Sequence, residues 1–332
     1  AKAAQGELAA ELLDDGLPAP EIQALLSHIN NDIYRRVTDF CIAGLETEGR
    51  GAPPVEFSVI VMGSGGRGEN FIYPDQDNGF IIADYPDQEH NRIDGYFMEL
   101  ANRLVTTLDT VGLPLCRSYC MAVNPLWRKT LAQWSRQLDG WWRKRNRVSL
   151  QLSNIFLDFQ PVWERNRELS SDLRAHITAM LRQDRAFLRA MYQETSDHNV
   201  ALGLFGGFIT EKENPQYRGQ INLKHHALLP LVEAVRLLSL REGVEQTSTL
   251  ARLEALDDLG VLEANALEEL QSAFVHTANL LFRQQIDDFR IGKKVTYFVH
   301  PKSLTKRTRE QLAEAMKAID RLRDWVRADV TV

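Results

Sequence analysis

The sequence predicts an α+β fold over its first half and an all-α helical bundle over its second. Two observations carry this. Between residues 56 and 163, short apolar runs (EFSVIVM, NGFIIADY, LSNIFLDFQPVW) alternate with segments of helical periodicity, whereas beyond about residue 166 only long amphipathic stretches remain. A Gly- and Pro-rich stretch, EGRGAPP at 48–54, separates the mixed region from an earlier helical segment. The expected divisions are therefore N-terminal helices over 1–49, a mixed domain over 50–165 and a helical domain over 166–332.

In order along the chain, helices are expected over 7–47, broken at a Gly-Leu-Pro stop. EFSVIVM reads as a buried strand and NGFIIADY as a second. RIDGYFMELANRLVTTLDTVG is a helix ended by Gly112. PLCRSYCMAV reads as a short strand with its turn, PLWRKTLAQWSRQLDGWWRKR as mostly helix, and LSNIFLDFQPVW as a return to strand. Helices then follow at about 168–194, 222–242, 248–258, 264–290 and 303–328, interrupted by a glycine-rich loop at 203–220.

Composition narrows the function. The 332 residues are 44% hydrophobic and 25% charged, as in a globular protein able to bury its own core. A net charge of −6 argues against a dedicated nucleic-acid binder. Three cysteines form no disulfide framework, no apolar run is long enough to span a bilayer and no signal pattern opens the chain, so cytoplasm is the expected compartment. The missing initiator methionine suggests a segment of a longer protein.

The chemistry concentrates in GSGGRGENFIYPDQDN, residues 63–78. The glycines formally satisfy G-x-G-x-x-G, and Asp84 falls where a ribose-binding acid would stand. A dinucleotide fold, however, needs a crossover of a dozen or more residues between its first two strands, and Pro74 and DQDN restrict any helix here to little more than a turn. No Gly-Lys-Ser/Thr completes a P-loop. What remains is a Gly-Ser turn, a short helix and Asp-x-Asp entering a strand. Gly63 and Gly65 let backbone N–H groups approach phosphate, Ser64 offers a hydroxyl and Arg67 a charged fork. Asp75 and Asp77, two apart in extended chain, point to one side, where a hard cation such as Mg²⁺ would offset their repulsion. A solvated turn is the plainer alternative.

This stretch resembles the nucleotidyltransferase superfamily typified by DNA polymerase β. It resembles more closely the bacterial signal-transduction nucleotidyltransferases, which are related to the glutamine-synthetase adenylyltransferase and the nitrogen-sensor uridylyltransferase and are often fused to cyclic-nucleotide-binding and CBS domains. PLCRSYCMAVNPLWRKTLAQW, SNIFLDFQPVW and INLKHHALLPLVEAVRLLSL extend the resemblance. It implies a polymerase-β-like domain, a small mixed sheet with flanking helices, followed by a helical substrate-binding domain. It also implies a third metal-binding acid on a later strand, for which Asp158 is the candidate; an edge-strand aspartate facing water is the alternative. Two Mg²⁺ ions, or Mn²⁺ in their place, would then serve transfer of a nucleoside monophosphate, AMP foremost, from ATP or another NTP to a protein or small-molecule acceptor, with pyrophosphate released. Upstream sensor domains are the implied regulators. A nucleotide-sensing module without transfer is the competing reading. Pro74 departs from the small hydroxyl residue often found before the first aspartate.

Lys224, at a helix start, is a candidate triphosphate contact or a solvated lysine; Arg236 and Arg252 are lesser candidates, since helices carry many surface arginines. Glu69 reads as loop support rather than a base. Trp127, Trp134 and Trp141, seven apart, read as a buried stripe, and WWRKRNR as a solvated helix end. His225 and His226 point apart on a helix, and Cys116 and Cys120 lack a His/Cys companion at zinc spacing, so packing explains them.

Overall fold

The computed structural model describes residues 2–165, 168–195, 198–203 and 206–331. By internal packing the chain divides into two units, residues 1–5 with 23–179 and residues 6–22 with 180–332.

Two helices open the chain, α1 (Lys2–Asp14) and α2 (Ala19–Thr47). The first unit is then built on a four-stranded sheet of β1 (Phe57–Val61), β2 (Asn78–Ile82), β3 (Arg128–Thr130) and β4 (Gln160–Glu164), in the order β3-β2-β1-β4. β1 is antiparallel to both neighbours, with Phe57 opposite Ile82 and Val61 opposite Asn78, while β2 and β3 run parallel. The helices between these strands are α3 (Gly63–Arg67), α4 (His90–Val111), α5 (Leu131–Lys144) and α6 (Arg147–Phe156).

Every residue of β1 and β2 is buried, which is why both read as unbroken apolar runs rather than as alternation. Phe57, Val59, Val61, Phe80 and Ile82 face one core with Val37 and Leu45 of α2 and Phe97, Leu100 and Leu104 of α4. Phe57 and Phe97 meet edge to face at 5.0 Å. The other core holds Trp134 of α5, stacked on Phe156 of α6 at 4.4 Å and donating its indole N–H to Phe80 O at 2.9 Å. Pro161 lies in the edge strand β4 beside a register shift, a position where its missing N–H costs little.

Several boundaries differ from the sequence reading, each for a local reason. PLCRSYCMAV is not a strand but an irregular loop. The segment 125–145 begins with the three-residue strand β3 before α5, whose start is set by a capping box between Thr130 and Gln133. The tryptophans at 127, 134 and 141 are all buried, but Trp127 precedes β3 and only the other two lie on α5. The first half of LSNIFLDFQPVW belongs to α6, which Asn146 caps by accepting from Ser149 N, and the strand starts only at Gln160. The helix expected over 168–194 is two, α7 (Glu168–Leu181) and α8 (Arg185–Glu194), because Asp184 caps the second through Phe187 N at 2.9 Å. Since Thr130 satisfies a first-turn amide of α5, Thr130→Ala is expected to lower stability by about 1 kcal/mol, read as a shifted urea midpoint at unchanged slope.

The second unit contains α9 (Leu229–Glu242), α10 (Thr249–Asp258), α11 (Ala266–Arg290) and α12 (Lys306–Thr331). α9 is buried without a break from Pro230 to Leu240, as befits a helix at the centre of a bundle. Arg236 on α9 and Arg252 on α10 are buried rather than on the surface, and Arg252 Nε donates to Gln246 O at 2.8 Å. A short antiparallel ribbon, β5 (Ile221–Asn222) with β6 (Phe298–Val299), means that this half is not purely α. Residues 6–19 pack here too: Gly6 lies against the Phe289 ring, Asp14 pairs with Arg290, and Ala19 N donates to Asn279 Oδ1 at 2.6 Å. Leu204 and Phe205 of the glycine-rich loop lie outside the described residues. Among the described residues no helix is long and apolar enough to cross a membrane.

Candidate active site

The end of β1 delivers the chain into the glycine turn. Gly63 has φ +56°, a left-handed conformation that suits glycine, and a Cβ there would stand 3.3 Å from Asp77 Oδ2. α3 is a single turn and ends at Gly68, φ +72°. The loop that follows is fastened to α2: Gln23 Nε2 donates to Glu69 O at 3.2 Å, and Asn70 N donates to Ser27 Oγ at 3.2 Å. Ser64 Oγ lies 3.4 Å from Asn70 Oδ1. Tyr73 then adopts φ +65° immediately before Pro74.

Residues 75–78 alternate as an extended strand entry should. Gln76 is fully buried and donates to Val105 O at 3.0 Å and Leu113 O at 2.8 Å. Asn78, equally buried, donates to Tyr34 Oη at 3.3 Å and accepts from Ala122 N at 2.9 Å. With Gln76 and Asn78 anchored inward, Asp75 and Asp77 share the other side, and Met62 N donates to Asp77 O at 2.9 Å to tie that side to the glycine turn.

These elements border a small open cleft. Asn30, Asn31 and Tyr34 of α2 line it together with Ser64, Gly65, Asn70, Pro74, Asp75 and Asp77. Its lining therefore carries two carboxylates and no basic side chain. Asn30 is buried, its Oδ1 accepts from Gln5 Nε2 at 2.8 Å, and its Nδ2 has no hydrogen-bond partner in the protein, which leaves a donor at the cleft wall. Burial, with added pressure from Asp77 and Asp75, pushes the Tyr34 phenol well above its ordinary pKa, so it keeps its proton.

Two residues expected at phosphate and metal are occupied elsewhere. Arg67 is 8% exposed and does not line the cleft; its Nε meets Glu69 Oε2 at 2.6 Å and its Nη1 meets Asp158 Oδ2 at 2.7 Å. Burial opposes the guanidinium charge, but the two carboxylates outweigh it and raise its pKa. Asp158 lies not on a strand but in the turn between α6 and β4, fully buried, with its Oδ2 against the Arg67 guanidinium. Asp84, the apparent ribose acid, accepts from Ala132 N at 3.1 Å at the start of α5.

Lys224 belongs to the second unit. It opens a π-type turn, 224–228, ahead of α9, with Nζ 3.3 Å from Tyr297 Oη and 4.4 Å above that ring.

Asp77 has neighbours that sequence reasoning missed. Gln76 N donates to Pro114 O and Asn78 N to Cys120 O, both at 2.9 Å, so the loop 114–122 runs alongside Asp77. The Asp77 carboxylate, Cys116 Sγ and Cys120 Sγ all lie within 4.8 Å of one another. A hydrogen bond from Cys120 brings the Cys116 thiol down to about 6, while Cys120, as the donor and buried beside carboxylate charge, moves up. The Cys-x₃-Cys spacing was visible in the chain, but its third member was not, because it lies in a distant segment, at the entry to β2. Asn30, Tyr34 and Asn70 left no signal beyond helix periodicity and loop composition.

Comparison with known families decides the assignment. Residues 3–148 match the family model described as "Putative nucleotidyltransferase DUF294", and residues 185–330 the model described as "Putative nucleotidyltransferase substrate binding domain". The chain resembles this nucleotidyltransferase family over both of its halves. The first match contains the glycine turn, Asp75, Asp77 and the cysteine loop; the second contains Lys224 and α9 to α11 in full. No curated protein matches the chain.

Proposed function

We propose that this protein transfers a nucleoside monophosphate, AMP first among candidates, from an NTP to a protein or small-molecule acceptor, releasing pyrophosphate. The observation that carries this reading is the cleft, with two carboxylates on one strand entry facing a glycine turn and no basic side chain in its lining. Asp75 and Asp77 would hold Mg²⁺, or Mn²⁺, which supplies charge neutralisation for the triphosphate and a lowered pKa for the acceptor hydroxyl. Two protein carboxylates plus substrate phosphates is a common way to complete such a coordination shell.

The remaining steps belong to side chains. The glycine turn lets Gly65 and the Ser64 hydroxyl approach phosphate oxygens closely. Asn30 Nδ2 offers a preformed donor, and the neutral Tyr34 hydroxyl offers another without competing for metal. Gln76 and Asn78 anchor the chain on both sides of Asp77, which reduces the ordering left for the moment of reaction. Asp158 enters as a positioning residue that holds Arg67, and through it α3, in place.

The test is incubation with α-³²P-labelled ATP, GTP, CTP and UTP, each with Mg²⁺ and a cell extract as acceptor source. Wild-type protein is expected to transfer label, and Asp75→Asn/Asp77→Asn protein to fall to background while its circular dichroism is unchanged. Nucleotide binding without transfer by the wild type would replace this reading with that of a nucleotide-sensing module.

A further inference from the structure

Cys116 and Cys120 are 6% and 1% exposed, and a buried thiol pair by itself calls for nothing beyond packing. Their placement is what needs an account. The loop bearing them is held to both sides of Asp77 by main-chain hydrogen bonds, and Tyr119 within it adopts φ +57°, a conformation an L-residue rarely takes. Two thiols and a carboxylate are thus brought within 4.8 Å of one another, and the carboxylate opens onto the cleft. The remaining cysteine, Cys41, is in α2, 3.9 Å from Thr107 Oγ1.

We propose that Asp77, Cys116 and Cys120 form a binding site for a thiophilic divalent cation, Zn²⁺ in particular, and that its occupancy withdraws Asp77 from the harder cation used in transfer. Ligands around tetrahedral zinc stand about 3.8 Å apart, given Zn–S bonds of about 2.3 Å, so the three donors need move by little more than an ångström. The Cys-x₃-Cys spacing is within the range used by zinc sites, and an S₂O donor set favours zinc over magnesium. Binding takes both sulfurs as thiolates, and any proton they still carry is released to solvent. The fourth position faces the cleft, where water or a nucleotide phosphate oxygen would complete the tetrahedron. Binding follows from the donor set; inhibition rests on the transferase reading above.

Cobalt(II) reports the site directly. The full chain titrated with Co²⁺ is expected to show a near-ultraviolet thiolate-to-cobalt charge-transfer band that Zn²⁺ abolishes and excess Mg²⁺ leaves in place. Cys116→Ser/Cys120→Ser should lose the band, and Asp77→Asn should weaken Zn²⁺ binding at least tenfold by chelator competition. On the wild type alone, and so independent of whether a variant folds, Zn²⁺ should slow alkylation of Cys116 and Cys120 at least tenfold and leave Cys41 unchanged. No band on the wild type, a band that persists in the double serine variant, or no protection of the two thiols would overturn the proposal. In the labelled-nucleotide assay, Zn²⁺ should inhibit the wild type and spare the double serine variant. A cobalt band in protein that transfers no label would leave the metal site standing and count against the transferase reading instead.

Discussion

Arg67→Met is expected to lower the free energy of unfolding by about 3–5 kcal/mol, the usual cost of removing one partner from a buried ion pair. Arg67 faces two carboxylates, Glu69 at 2.6 Å and Asp158 at 2.7 Å, and neither has more than a tenth of its side chain in water. Methionine fills much of the volume but leaves both acids without their cation. Each then loses a charge-assisted hydrogen bond in a site nearly closed to water, and that costs stability. The companion Arg67→Met/Glu69→Gln/Asp158→Asn removes all three charges together and should recover most of the loss. Urea denaturation of the two variants checks both statements. If Arg67→Met falls by less than 1 kcal/mol, the triad is not what fixes α3 against the α6–β4 turn.

Gly66→Ala is expected to be destabilising by about 3 kcal/mol or more, at the upper end for overpacking. Its backbone φ is unremarkable for any residue, so the cost is one of space. A Cβ at this position would land on the carbonyl oxygen of Asp158, 2.9 Å from the carbonyl carbon and 3.0 Å from Val61 O. All three atoms are main chain, so none can swing aside as a side chain would. Relief would require α3 and the turn at Asp158 to separate, and that separation would also pull Arg67 from its partner. The two substitutions are therefore coupled: in the double variant the losses should sum to less than their separate values. Wild-type stability in Gly66→Ala, measured by the same denaturation, would contradict the close approach of these segments.

How much of this could be read in the chain depends on separation along it. The glycine turn and Asp-x-Asp were legible because both are local, and the alternation that places Asp75 and Asp77 on one side needs only an extended backbone. The Arg67–Asp158 pair was not legible, since its members come from different elements and a charge pattern carries no contact information. Asp158 was further obscured because the apolar string around it spans a helix end, a turn and a strand. Asn146, Thr130 and Asp184 set three helix starts by capping, yet each is also an ordinary polar residue, so periodicity alone placed those boundaries wrongly. β3 is too short to leave a pattern of its own. The cysteines were visible, but their meaning depended on Gln76 and Asn78 bringing a distant loop against the strand entry.

One feature of the second unit bears on biosynthesis. Residues 6–22 precede the sheet-bearing stretch in the chain, yet their partners in the second unit, Asn279, Phe289 and Arg290, follow it. At about 5–20 residues per second this segment waits, while the intervening chain is synthesised, with its docking surface unmade. Vectorial folding can therefore complete the sheet-bearing unit well before the helical one, and a nascent chain arrested ahead of residue 279 should expose residues 6–22 to protease while the sheet already resists it.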